Sequence, residues 1–168
     1  MIYVVSQIIG FIGFIVSLIA YHRKKKETIL KNMLIANVLD LTHYFLLGAY
    51  SGCITKVIAI LRNAFIIIKG KFKILSSKIF LIIFIVMYVV AGVLLYNGVL
   101  SMFPIVAAII YMVGIWNGDE VTVKKIACLC YFLWLAYNIY VLSISGIVSN
   151  IVSIISTYIA IKYVIKEQ

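Results

Sequence analysis

Apolar residues run through this chain in long blocks, and polar residues mark the gaps between them. The blocks lie at roughly 3–21, 32–50, 52–69, 79–97, 99–117, 126–142 and 146–165. Each approaches the length of about 20 residues that a helix needs to cross a bilayer core. Tight joins are expected at Ser51-Gly52, Asn97-Gly98 and Ser145-Gly146. The pattern therefore predicts an all-α membrane protein with seven transmembrane helices.

The charges fix a direction for those helices. Arg23, Lys24, Lys25, Lys26 and Lys31 follow the first block, and Lys69, Lys71, Lys73 and Lys78 follow the third. Lys124 and Lys125 follow the fifth, Lys162 and Lys166 close the chain, and the other connections carry no Lys or Arg. Alternation of this kind is the positive-inside pattern. It places the N-terminus outside and the C-terminus inside in a multi-pass membrane protein. Seven is the count that satisfies every loop, because merging any two blocks moves a Lys cluster to the wrong side.

Composition agrees. The chain is 65% hydrophobic and 12% charged, with a mean hydropathy of +1.19. Soluble domains average about 45–50% and about 25%. The net charge of +10 is accounted for by the basic loops, which face membrane lipids, and no nucleic-acid partner is expected. Residues 1–21 have no charge in front and HRKKK behind, so the first block reads as a retained helix and not as a cleaved signal. Cys53, Cys128 and Cys130 read as small apolar fillers. Residues two apart on a helix point to nearly opposite faces, so Cys128 and Cys130 make no metal site, and no cofactor is implied.

An internal repeat emerges when the chain is slid on itself by 94 residues. Spans one to three then lie over spans five to seven without a gap. Gly10 meets Pro104, Lys31 meets Lys125, and Ser51-Gly52 meets Ser145-Gly146. The expected plan is 3-1-3: a three-helix unit over 1–70, a linker helix over 71–98 and a second unit over 99–168. An odd linker lets two like units insert in the same orientation, the parallel-repeat arrangement of the SWEET sugar transporters, with a solute site near the midplane.

Polar residues inside the spans mark where such a site would lie. Asn37, Asp40 and Tyr44 share one face of the second span, with His43 at its edge. The third span holds Arg62 and Asn63 at mid-depth and Lys56 nearer the outer end, where it is expected to snorkel. An Asp or Arg at a helix centre costs about 2.5–3.5 kcal/mol on an insertion scale. With a turn at Ser51-Gly52, Asp40 and Arg62 fall at the same depth on antiparallel neighbours, so they are expected to pair. That pair serves either a solute path or the fastening of two helices. His43 is either a proton carrier or a hydrogen-bonding packing residue. In the second unit Trp134 and Asn138 share a face, as do Asn150, Ser153 and Thr157. Ser6, Gly10, Gly13 and Ser17 form a small-residue packing stripe. Pro104 allows a bend early in the fifth span, either a static kink or a hinge.

The strings that carry these residues resemble those of a known family. HYFLLGAYSG followed by Arg62, and CYFLWLAYNIYVLSISG with Trp134, Asn138 and Ser143-Ile144, are similar to the bacterial inner-membrane proteins of the YgjV type. Pro104 opening the fifth span adds to the likeness, which covers essentially the whole chain. The family pattern has a His where this chain has Tyr137. The resemblance implies a membrane location and a kinship with the SWEET and PQ-loop group, and it supplies no substrate.

The sequence shows no nucleophile elbow, no metal-ligand pair and no phosphate loop, so no enzyme is expected. The expected function is transport of a small polar solute through a midplane site. Asp40, His43, Arg62 and Asn63 would line it from one unit, and Trp134, Asn138 and Thr157 from the other. The alternatives are a non-transporting membrane scaffold or regulator, and a protein that grips anionic lipid headgroups. A homo-oligomer is compatible with any of these.

Overall fold

The computed structural model describes residues 1–21, 26–69, 78–117 and 120–166. Seven helices account for nearly all of them: α1 (Ile2–Tyr21), α2 (Lys26–Leu46), α3 (Tyr50–Lys69), α4 (Lys78–Leu94), α5 (Phe103–Asn117), α6 (Glu120–Tyr140) and α7 (Ile144–Lys166). A 3-10 turn over Val99–Met102 leads into α5. The basic loops at 22–25 and 70–77, on which the charge alternation mainly rests, lie outside the described residues, while Lys31, Lys78 and Lys125 are described. These exposed residues stand near the starts of α2, α4 and α6.

Polarity is inverted relative to a soluble bundle. Ser6, Gln7, Asn37, His43, Arg62, Asn63, Asn138 and Asn150 are buried, while Ile8, Ile12, Ile15, Ile82, Val86, Val89, Ile151 and Ile155 are exposed. Exposed apolar surface on this scale needs a partner. A hydrocarbon solvent supplies one along every outward face at once. Among the described residues three helical stretches are long and apolar enough to cross a membrane: Ile2–Ile19, Tyr50–Ile68 and Val99–Trp116. Lys78–Leu94, Lys125–Tyr140 and Ile144–Ile159 are shorter apolar helices.

Successive helices touch, and the described turns between α2 and α3 and between α6 and α7 are short, so each of those pairs is antiparallel. Contacts α1·α2, α2·α3, α3·α5, α5·α6, α6·α7 and α7·α1 close a ring. Helix α4 packs outside that ring against α3 and α5. An apolar cluster of Ile58, Phe84, Tyr88, Ala91, Ile105, Ala108 and Met112 fills the α3–α4–α5 side.

Two of the three expected joins lie earlier than the sequence predicts. Helix α2 ends at Leu46 and α3 begins at Tyr50, and the second join lies between Tyr140 and Ile144. Both are Schellman turns. At the first, Ala49 N–H donates to Tyr44 O and Gly48 N–H to Phe45 O; at the second, Ser143 N–H donates to Asn138 O and Leu142 N–H to Ile139 O. Every partner in the second turn stands 94 residues after its counterpart in the first. Gly48 takes φ +69° and Leu142 takes φ +54°.

The glycines of the expected joins have a different use, inside the helices. A Cβ on Gly52 would lie 2.9 Å from Tyr44 Cγ and 3.2 Å from Tyr137 Cε1, and a Cβ on Gly146 would strike Asn138. Both glycines let α2 and α6 approach the facing helices.

A leucine in the left-handed region is strained by about 1–2 kcal/mol. Leu142 is 69% exposed and loses little packing on truncation. Leu142→Gly is therefore expected to stabilise the protein by about 1 kcal/mol, measured as a rise in Tm in detergent, after allowing for glycine's greater unfolded-state freedom.

Pro104 occupies the first turn of α5, directly after the 3-10 turn. There its fixed φ favours helix initiation.

Candidate functional site

A cavity of about 140 Å³ opens between α1, α2, α6 and α7, with Lys56 of α3 at its edge. A buried water needs about 10–15 Å³ on this measure. The space therefore suits a cluster of waters or a solute of a few heavy atoms. Its walls include Asn37, Asp40, His43 and Tyr44 from α2, Trp134 and Asn138 from α6, and Ser149, Asn150 and Ser153 from α7. Gly10 and Ser17 of the small-residue stripe line it as well. Gly13 gives Asp40 its room: a Cβ there would stand 2.9 Å from Asp40 Oδ1.

The charge at the centre is neutralised by a different cation from the one expected. Lys56 Nζ donates to Asp40 Oδ2 at 2.7 Å, with side chains 17% and 23% exposed. Asp40 and Lys56 are equally spaced about Gly48, the left-handed residue of the turn. Antiparallel helices place residues equidistant from their turn at one depth. A turn at Ser51-Gly52 would have matched Asp40 with Arg62; the true turn matches it with Lys56. Lys56 therefore points into the cavity and does not snorkel. Its Nζ also lies 4.7 Å from the Trp134 ring centroid and 6.0 Å from that of Tyr44. Those two rings stack at 5.6 Å and 28°.

Arg62 is buried on the α3–α5 side, away from the cavity. Its Nε donates to Asn63 Oδ1 at 3.2 Å, and its guanidinium carbon lies 5.4 Å from the Tyr111 ring centroid. Among the described residues no carboxylate is within ion-pair distance of it. Arg62 and Asn63 thus belong to the packing of α3 on α5. Thr157, one turn beyond Ser153 on α7, is absent from the cavity wall. Of the seven expected site residues, the structure brings together Asp40, His43, Trp134 and Asn138.

One end of the cavity is sealed by hydrogen bonds. His43 Nδ1 lies 2.7 Å from the Ser6 carbonyl oxygen, which can only accept, so Nδ1 carries the proton. Nε2 then accepts from the Ser143 hydroxyl at 2.7 Å, and Ser143 Oγ in turn accepts from Gly146 N–H at 3.1 Å. Beside it the Tyr44 hydroxyl donates to Asn138 Oδ1 at 2.9 Å. Helix α1 fastens the same end, with Tyr3 Oη donating to Leu142 O and Ser145 N–H donating to Gln7 Oε1, both at 2.9 Å. His43, Tyr44, Asn138 and Ser145 are buried, whereas Ser17, Met33, Tyr131 and Ser153 towards the other end are partly exposed.

Sequence reasoning missed Lys56, Tyr44 and Asn150 as wall residues. Gly48 was the available signal for Lys56, since a glycine just past an apolar helical run marks a helix C-terminus.

The match that places the chain among known proteins covers residues 4–168, against a family model described as a bacterial inner membrane protein, Imp-YgjV. The chain belongs to the Imp-YgjV family. This Imp-YgjV protein is accordingly a helical inner-membrane protein, in accord with its apolar exterior. No curated protein and no solved structure matches it. Tyr137, where the family pattern resembled above has His, is buried and accepts from Ser51 Oγ–H at 2.9 Å and Gly52 N–H at 3.0 Å. His43, 94 residues earlier, makes the reciprocal reach to Ser143 and Ser145.

Proposed function

We propose that this Imp-YgjV protein is a small-solute transporter whose site is the cavity at the Asp40–Lys56 pair. The observation that carries the reading is that a polar cavity reaches this ion pair inside a bundle whose outside is apolar. Intramembrane ionisable groups that face a cavity mark solute and ion paths.

The 3-1-3 plan of seven spans belongs to this proposal. Its support is the recurrence of one turn at an interval of 94, the ring order of the helices, and the bond from Tyr44 to Asn138. Those two residues are 94 apart. Residues equivalent under a two-fold can touch only beside the axis, so the axis of the proposed repeat runs past them. With the basic loops cytoplasmic, the N-terminus is outside and the sealed end of the cavity faces out. The partly exposed end then faces the cytoplasm, an inward-facing state of an alternating-access cycle. The proposed plan is the parallel-repeat arrangement that SWEETs use.

In reconstituted vesicles, the protein is expected to give saturable flux of one or more members of a panel of small polar and cationic solutes. Asp40→Asn is expected to lower that flux by at least about tenfold, equivalent to about 1.4 kcal/mol. Flux at the protein-free level for every solute in the panel would overturn the transport reading.

A further inference from the structure

We infer that the cavity is a site for one small primary ammonium ion, and that its occupant in this conformation is the protein's own Lys56. The inference rests on reading the cavity as a solute site and names the class of solute. A carboxylate oxygen lies 2.7 Å from the Lys56 ammonium, with the Trp134 ring at 4.7 Å and the Tyr44 ring at 6.0 Å. A carboxylate combined with aromatic faces within about 6 Å is the chemistry that recognises an ammonium. Lys56 is not forced into it. Tyr50, where α3 begins, is about 9 Å of helix rise away, a distance a lysine stem can largely cover by snorkelling.

The sign of the solute follows from the charges. Among the described lining residues Asp40 and Lys56 are the charged pair, and Arg62 lies elsewhere. An anionic solute drawn to Lys56 would meet Asp40 beside it. A cationic solute finds Asp40 and the two rings ready, and the released Lys56 can turn towards the helix end. At the interval of 94, Asn150 stands where Lys56 does and Trp134 where Asp40 does, so the second unit supplies neutral walls. Asn150 Nδ2 donates to Gly146 O at 2.9 Å, which leaves its carbonyl oxygen to accept a further ammonium proton.

Lys56→Ala removes Cγ, Cδ, Cε and Nζ, the atoms of n-propylammonium. In the full chain in detergent, Lys56→Ala is expected to lose stability and to regain it saturably with n-propylammonium. The uncharged isostere n-propanol is expected to act at least about tenfold more weakly, and Lys56→Ala/Asp40→Asn is expected to respond equally to both. If Lys56→Ala folds only with an additive, the yield of monodisperse protein with each compound is the readout. Trp134 fluorescence in a Trp116→Phe background supplies a second measurement on the intact lysine, with a saturable change expected for n-propylammonium alone. No preference for the ammonium in either measurement overturns the inference. Its failure alongside saturable flux of a neutral solute would leave transport standing. Rescue by the ammonium without flux of any solute would leave the site standing and remove transport.

Discussion

Lys56→Met is expected to destabilise the protein by about 3 kcal/mol in detergent, the low end of the range for stripping one partner from a buried ion pair. The low end applies because the two side chains keep 17% and 23% of their exposure, so the cavity can partly solvate the carboxylate left behind. Lys56→Met/Asp40→Leu is expected to recover most of the loss, since the penalty is a stranded charge and not a missing attraction. Reversible thermal or denaturant unfolding of the four proteins in this cycle gives the coupling energy. It is expected to exceed about 1 kcal/mol, while a cycle of Asp40 with Arg62 is expected to give about zero, as for sites without shared partners. A strong Asp40–Arg62 coupling would mean that α2 and α3 meet about a turn at Ser51-Gly52, and the site described above would be misassembled.

That contrast shows which part of the structure could be read from residues. Helix number and the polar interior were legible because an apolar block and a buried Asn or His each leave a mark in the sequence. The depth register of α2 against α3 was misread, because small polar residues at 51–52 looked like a turn. Gly52 is there for close approach to Tyr44 and Tyr137, and the turn residue is Gly48. In the second unit the left-handed position is filled by Leu142, which carries no turn signal at all. An error of a few residues at one turn moved the partner of Asp40 by nearly two helical turns, from Lys56 to Arg62. Asn63 followed Arg62 out of the site for the same reason. Trp134 and Asn138 do line the cavity, and their shared face was read from helical spacing alone, which the position of the turn does not affect.

His43→Ala is the other substitution with a large expected effect, about 3 kcal/mol of stability. The ring is 2% exposed, and its loss leaves a void and leaves the buried Ser143 hydroxyl hydrogen without its acceptor. Each buried polar group left without a partner costs about 1–3 kcal/mol. The two ring nitrogens can be separated. His43→Asn can still donate from the Nδ1 position to Ser6 O, and His43→Gln can still accept from Ser143 at the Nε2 position. Each is expected to recover part of the loss, and His43→Gln more of it, because Ser143 also orients Gly146 N–H and the start of α7. Both nitrogens are engaged in joining α1, α2 and the α6–α7 turn, which is the observation that favours a fastening role over a proton-carrying one. In vesicles His43→Gln is therefore expected to keep solute flux within about threefold of wild type, a change below 1 kcal/mol. A His43→Gln protein of normal stability that had lost flux would instead make this imidazole a proton carrier, because glutamine reproduces its hydrogen bond and cannot take up its charge.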